Sequence, residues 1–118
     1  MRPDPQDASF LWDMLKAARG IVEMTNGMEY ADYLADRKTQ LAVERQVEII
    51  GEAARRVSES LRAANAEIPW QRIIAQRHVL AHEYGVIRQD LMWRVVSVHI
   101  PELISLLEPL IPPSPQSP

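Results

Sequence analysis

The sequence predicts an all-α protein, an up-and-down helical bundle of about four main helices plus a short one. Apolar residues recur at alternating three- and four-residue steps through four long segments. Between these segments stand Asn26-Gly27, Asn65 to Pro69 and Gly85, residue types that stop a helix and turn the chain. No strand alternation, internal repeat or glycine-rich phosphate loop competes with this pattern.

The first helix is expected from a cap at Asp7 or Ser9 to about Thr25, with Phe10, Leu11, Met14, Leu15, Ala18, Ile21 and Val22 on its apolar side. Met28 to Ala35 reads as a short helical turn. A long helix follows from about Arg37 to Ala64, on the stripe Val43, Val47, Ile50, Ala54, Val57 and Leu61. Gly51 beside that stripe costs about 1 kcal/mol against alanine, and close approach of a neighbouring helix would offset it. Pro69 suits the first turn of the next helix, about Trp70 to Tyr84, with Gly85 as its left-handed stop. The last helix spans about Gln89 to Leu110 with Met92, Val96, His99, Leu103, Leu106 and Leu110 inward. Pro101 removes the bond to the Ser97 carbonyl and predicts a kink there. Residues 7–111 thus form one helical domain, after a flexible start (1–6) and before a disordered Pro/Ser tail (112–118).

At 118 residues the chain buries one core and not two. The absence of cysteine excludes disulfides and thiolate metal sites and suits a reducing cytoplasm. No basic-then-apolar start suggests a signal peptide, and no apolar run is long enough for a bilayer, so no membrane partner is expected. A formal net charge of −3 argues against a surface coated for duplex DNA. It leaves room for a local groove in which a few arginines hold RNA.

The segment Gln76-Arg77-His78-Val79-Leu80-Ala81-His82-Glu83-Tyr84-Gly85 carries the pattern R-x4-H-x-Y. With eleven arginines, three histidines and three tyrosines in the chain, an Arg followed by a His at similar spacing is expected by chance. The full pattern is expected only about 0.007 times, which makes it moderately specific. On a helical wheel Arg77 falls among Trp70, Ile73, Ile74, Leu80, Ala81 and Tyr84, inside the apolar stripe. A guanidinium there needs either a carboxylate or a cavity that receives an anion. Glu48 and Glu52 on the long helix are the candidate structural partners. His82 lies about 140° round the wheel from Arg77, so the two converge only if the helix ends near Gly85 or two copies face each other.

Other features have plainer readings. His78 and His82 have a metal-ligand spacing, but no third ligand is evident, so neither metal nor other cofactor is expected. His99 reads as core, with the freed Ser97 carbonyl as its partner. Trp12, Trp70 and Trp93 read as core or interface anchors. The runs Asp36-Arg37-Lys38 and Glu52-Ala53-Ala54-Arg55-Arg56 read as solvated faces, from which Arg55 and Arg56 can help to hold RNA.

The order YLADRKTQ…VERQVEIIGEAARRVS…IPWQRI…RHVLAHEYGV…DLMW…IPEL, about Tyr33 to Leu107, resembles the HepT-like toxins of the HEPN superfamily. The resemblance implies a HEPN-like bundle and a metal-independent endoribonuclease, active as a homodimer whose two motifs face each other across a cleft. It implies the toxin of a bacterial type II toxin–antitoxin module, partnered by a minimal nucleotidyltransferase antitoxin. Arg77 and His82 occupy the catalytic positions, and Tyr84 that of the AMP acceptor through which the antitoxin blocks the RNA site. His78 stands where the family usually has Asn, beside the expected phosphate, and is a candidate substrate contact with Arg55 and Arg56. Two rival readings stand beside this one. One is a non-catalytic helical adaptor that binds nucleotide or protein, and the other is a structural dimerisation bundle with Arg77 sequestered by Glu48 or Glu52.

Overall fold

The computed structural model describes residues 4–82 and 87–111, with the backbone only for 77–82. The described residues are mostly helical, with no strand among them. They comprise α1 (Pro5–Met24), α2 (Tyr30–Leu34), α3 (Arg37–Arg56), α4 (Glu59–Ala64), α5 (Trp70–His82), α6 (Gln89–Arg94), a π turn (Val95–His99), α7 (Ile100–Leu107) and a closing 3-10 turn (Glu108–Leu110). The long helix α3 lies centrally, with α1 on one flank and α5 on another, and α7 closes against α1. Leu11, Met14 and Ile21 of α1 are fully buried with Val43 and Ala54 of α3 and Leu107 of α7. Each such large side chain contributes about 1.5–3 kcal/mol by leaving water. The helices are therefore held by shared burial more than by their own propensity. Among the described residues, no helix is long and apolar enough to cross a membrane.

Several expected boundaries move, each for a local reason. The first helix is capped by Asp4, not by Asp7 or Ser9: the Asp4 carboxylate accepts from the Asp7 amide at 2.8 Å, and Pro5 opens the first turn. Asp7 turns inward instead. It is 5% exposed and accepts from the Ser58 amide at 2.9 Å and the Ser58 hydroxyl at 2.6 Å. Val22, placed on the apolar side, is 41% exposed. The short helix is trimmed to Tyr30–Leu34, with Glu29 and Asp32 forming a reciprocal cap. Asn26-Gly27 closes α1 as expected, Gly27 taking a φ of 80°.

The expected single helix from Arg37 to Ala64 is two helices. Val57 adopts extended backbone (φ −65°, ψ 139°), and Ser58 caps α4 by accepting from the Leu61 amide at 3.3 Å. The apolar stripe runs on through the break, with Val57 buried and Leu61 half-buried, which is why periodicity alone conceals it. Asp36, read as part of a solvated charge run, caps α3: it accepts from the Thr39 amide at 3.0 Å and the Thr39 hydroxyl at 2.8 Å. In the C-terminal arm, the expected kink at Pro101 is a π turn just before it, where the Ile100 amide reaches back to the Val95 carbonyl. Proline's missing donor leaves the Ser97 carbonyl without its helical partner, and widening the preceding turn relieves the crowding that the ring imposes.

Candidate functional site

Helix α5 carries the motif towards its C-terminal end, with Arg77, His78 and His82 all inside its span. In its first turns Trp70 and Ile73 are buried while Gln71, Arg72 and Ala75 are exposed. The helical period puts Arg77 seven residues on from Trp70 and four from Ile73. It puts His78 seven residues on from Gln71, and His82 seven on from Ala75. Tyr84 lies outside the described residues, as do the side-chain surroundings of Arg77, His78 and His82.

The carboxylates considered for Arg77 each carry an ion pair within α3, and any contact they make with Arg77 lies outside the described residues. Glu48 receives Arg45 at 3.5 Å, and Oε1 of Glu52 receives both Arg55 at 2.8 Å and Arg56 at 3.1 Å. Arg55 and Arg56, offered for RNA, are exposed but share this one carboxylate, which partly neutralises them. Arg56 also borders an open groove of about 350 Å³ between α1 and α3, floored by Phe10, Ile49 and Ala53.

A polar network that sequence reasoning passed over anchors the chain just after the motif. Tyr33 is fully buried, and its hydroxyl donates to Oε1 of Gln89 at 2.9 Å. Gln89 in turn donates to Glu44 at 2.9 Å, and Arg37 lies 3.8 Å from the same carboxylate. Gln40, 6% exposed, donates to the carbonyls of Tyr33 and Leu34. Burial, helped by Glu44, raises the Tyr33 hydroxyl far above its usual range, so it stays a neutral donor. Gln89 begins α6, so the network fixes the far end of the segment that follows His82. One signal was visible: Gln40 sits three residues before Val43 and seven before Val47, an amide on an apolar stripe.

His99 departs from its expected role. It is half-buried rather than core, its Nδ1 is buried without a partner, and the Ser97 carbonyl does not serve it. Ser97 instead donates its hydroxyl to the Trp93 carbonyl at 2.8 Å. The wide turn carries the imidazole to the rim of the apolar stripe, where it borders a small cavity with Arg72, Gln76 and Glu102. Desolvation lowers its pKa below 6.5, and Arg72 and Arg94 add to this against the opposing Glu102. Below pH 6.5 the unfolded imidazole takes up a proton that the folded one resists, so stability is lost as the pH falls through that value. Replacing His99 with Gln is expected to flatten this part of the profile, read as the urea midpoint from about pH 8 to about pH 5. A wild-type difference curve that rises on acidification would contradict the assignment.

The tryptophans divide as well. Trp70 is 7% exposed and donates its indole N–H to the Asn65 carbonyl at 3.0 Å. Trp93 is half-buried beside Tyr33 and Tyr30, with ring centroids 5.2 and 6.3 Å away. Trp12 is no core residue: it is 40% exposed, with Arg19 over its ring at 5.9 Å.

The chain is similar to proteins whose names describe them as ribonucleases. It is 36% identical over 101 residues to "Probable ribonuclease HepT" of Thermococcus cleftensis, covering 86% of this chain and 92% of that one. Two Methanocaldococcus jannaschii proteins, each named "Putative RNase", are 33% identical over 109 residues and 32% identical over 95. These cover 92% and 80% of this chain, and 90% and 87% of theirs. No solved structure matches the chain. The profile of the family described as "Ribonuclease HepT-like" matches residues 14–110, from the middle of α1 to the closing turn. With that span and those relatives, the chain belongs to the ribonuclease HepT-like family.

Proposed function

We propose that this protein is a metal-independent endoribonuclease, the toxin of a type II toxin–antitoxin module, acting as a homodimer. Membership of a ribonuclease family across residues 14–110 is the observation that carries the reading. The intact R-x4-H-x-Y pattern on α5 supports it. Cleavage of RNA without a metal requires a base, an acid and positive charge at phosphorus. In this reading one His82 takes the ribose 2′-OH proton, and the 2′ oxygen attacks the adjacent phosphorus. The bond to the 5′ oxygen breaks, and His82 of the second subunit protonates the departing oxygen. Histidine serves both roles near neutrality. Arg77 supplies a forked donor that matches the phosphate oxygens as charge builds on them. The products are a 2′,3′-cyclic phosphate and a 5′-hydroxyl. The helical period favours a site completed by two subunits, since one straight helix sets Arg77 and His82 about 140° apart.

Neutralisation by a minimal nucleotidyltransferase antitoxin completes the proposal, with Tyr84 as AMP acceptor and a bulky anion then occupying the substrate's phosphate position. The decisive experiment incubates the purified chain with RNA in the presence of a chelator and identifies the fragment ends. Cyclic phosphate ends support the reading, and intact RNA defeats it. Co-expression with a minimal nucleotidyltransferase antitoxin is expected to add mass in AMP multiples, lost in Tyr84→Phe. An unchanged mass on co-expression would remove Tyr84 from the proposal.

A further inference from the structure

The described arginine side chains fall into two groups. Arg19, Arg37, Arg45, Arg55, Arg56 and Arg88 each have a carboxylate oxygen within 4.0 Å, at 2.6–3.8 Å. Among the described residues, Arg62, Arg72 and Arg94 have none. Arg62 also buries its Nε without a hydrogen-bond partner. In a chain of net charge −3, unpaired guanidiniums are the unusual ones. Arg62 and Arg72 line a single open groove of about 530 Å³, over the end of α4 and the start of α5. The groove holds one carboxylate, Glu59, which bridges to neither arginine.

We propose that Arg62 and Arg72 form a phosphate subsite that grips the RNA backbone a few nucleotides from the cleaved bond. The inference rests on the ribonuclease reading and names how that site holds its substrate beyond the scissile phosphate. Guanidinium forks match phosphate oxygens, and a groove with two unpaired forks and one carboxylate has the charge for an anion. Arg72 lies on the motif helix itself, about 15 Å along its axis from His82 at 1.5 Å per residue. Ala75 lies exposed on the next turn of α5 towards His82, which leaves the strand room to follow the helix away from Arg72. The contact reads backbone and not base: the nearest aromatic ring, Trp70, is buried with its N–H bonded to Asn65, leaving no face for stacking.

Binding of a fluorescent oligoribonucleotide of about ten nucleotides tests this directly, by anisotropy across a range of salt concentrations. Each lost phosphate contact removes about 0.7 from the slope of log affinity against log salt for a single strand. The double variant Arg62→Gln with Arg72→Gln is therefore expected to bind about 25-fold more weakly at about 0.1 M salt, with a slope shallower by about 1.4. Arg72→Gln alone gives about half of the slope change with an unaltered melting curve, because its side chain is exposed. Arg72→Lys keeps the charge and most of the slope. Wild-type affinity and slope in the Gln variants overturn the proposal, as does weakened capture of the antitoxin with RNA binding unchanged. A wild-type chain that binds the oligonucleotide through these arginines but cleaves no RNA upholds the subsite and defeats the ribonuclease reading.

Discussion

Replacing His82 with Ala is expected to lower RNA cleavage by about 10²- to 10⁴-fold, the range that one positioned acid–base group supplies. The loss should be complete in cells, where expression of the wild-type chain is expected to arrest growth and that of the variant is not. The fold should be untouched, because alanine is the best helix former and the position ends α5. Melting temperature and oligomeric state are the controls, and both should match the wild type. Cleavage that survives the substitution would remove His82 from the chemistry. Arg77→Lys separates charge from shape. It keeps the cation and loses the fork, so a large fall in rate marks two-point recognition of phosphate.

Asp7→Ala is expected to destabilise the protein by about 3 kcal/mol. The carboxylate is buried and bridges 51 residues of sequence to the amide and hydroxyl of Ser58. Removing it strands the Ser58 donors beside the core and frees the junction between α3 and α4. The expected drop in melting temperature is about 10 °C for a domain of this size. Asp7→Asn keeps one acceptor and should recover part of the loss. A drop no larger than that of an exposed substitution, such as Asp13→Ala, would show that water replaces the bond freely.

The apolar periodicity of the chain made the helical architecture legible, because stripes such as Val43, Val47, Ile50 and Ala54 record which side faces inward. The breaks were less legible. Ser58 interrupts α3 without disturbing the stripe, and the signal for that interruption sits 51 residues away at Asp7. Caps were misplaced because Asp4, Asp7 and Ser9 are all competent, and only tertiary demand for Asp7 decides between them. The motif could be read from sequence because R-x4-H-x-Y is local. The Tyr33–Gln89–Glu44 network that holds the segment beyond it could not, since its members lie 56 and 45 residues apart. The groove of Arg62 and Arg72 was equally hidden, because whether an arginine is paired depends on packing and not on neighbours in the chain.

The wide turn at Val95–His99 holds, in effect, one residue of slack in the C-terminal arm. Ser97 and Val98 are its exposed members. Deleting either would let the segment rewind as a regular coil. Because the lost residue is the extra one, Leu103 and Leu107 would keep the seats they occupy, and the cost would fall on Pro101, whose ring would then meet a full α turn before it. The bundle therefore tolerates Pro101 only by carrying a surplus residue ahead of it, so the length of this turn is under tighter constraint than its composition.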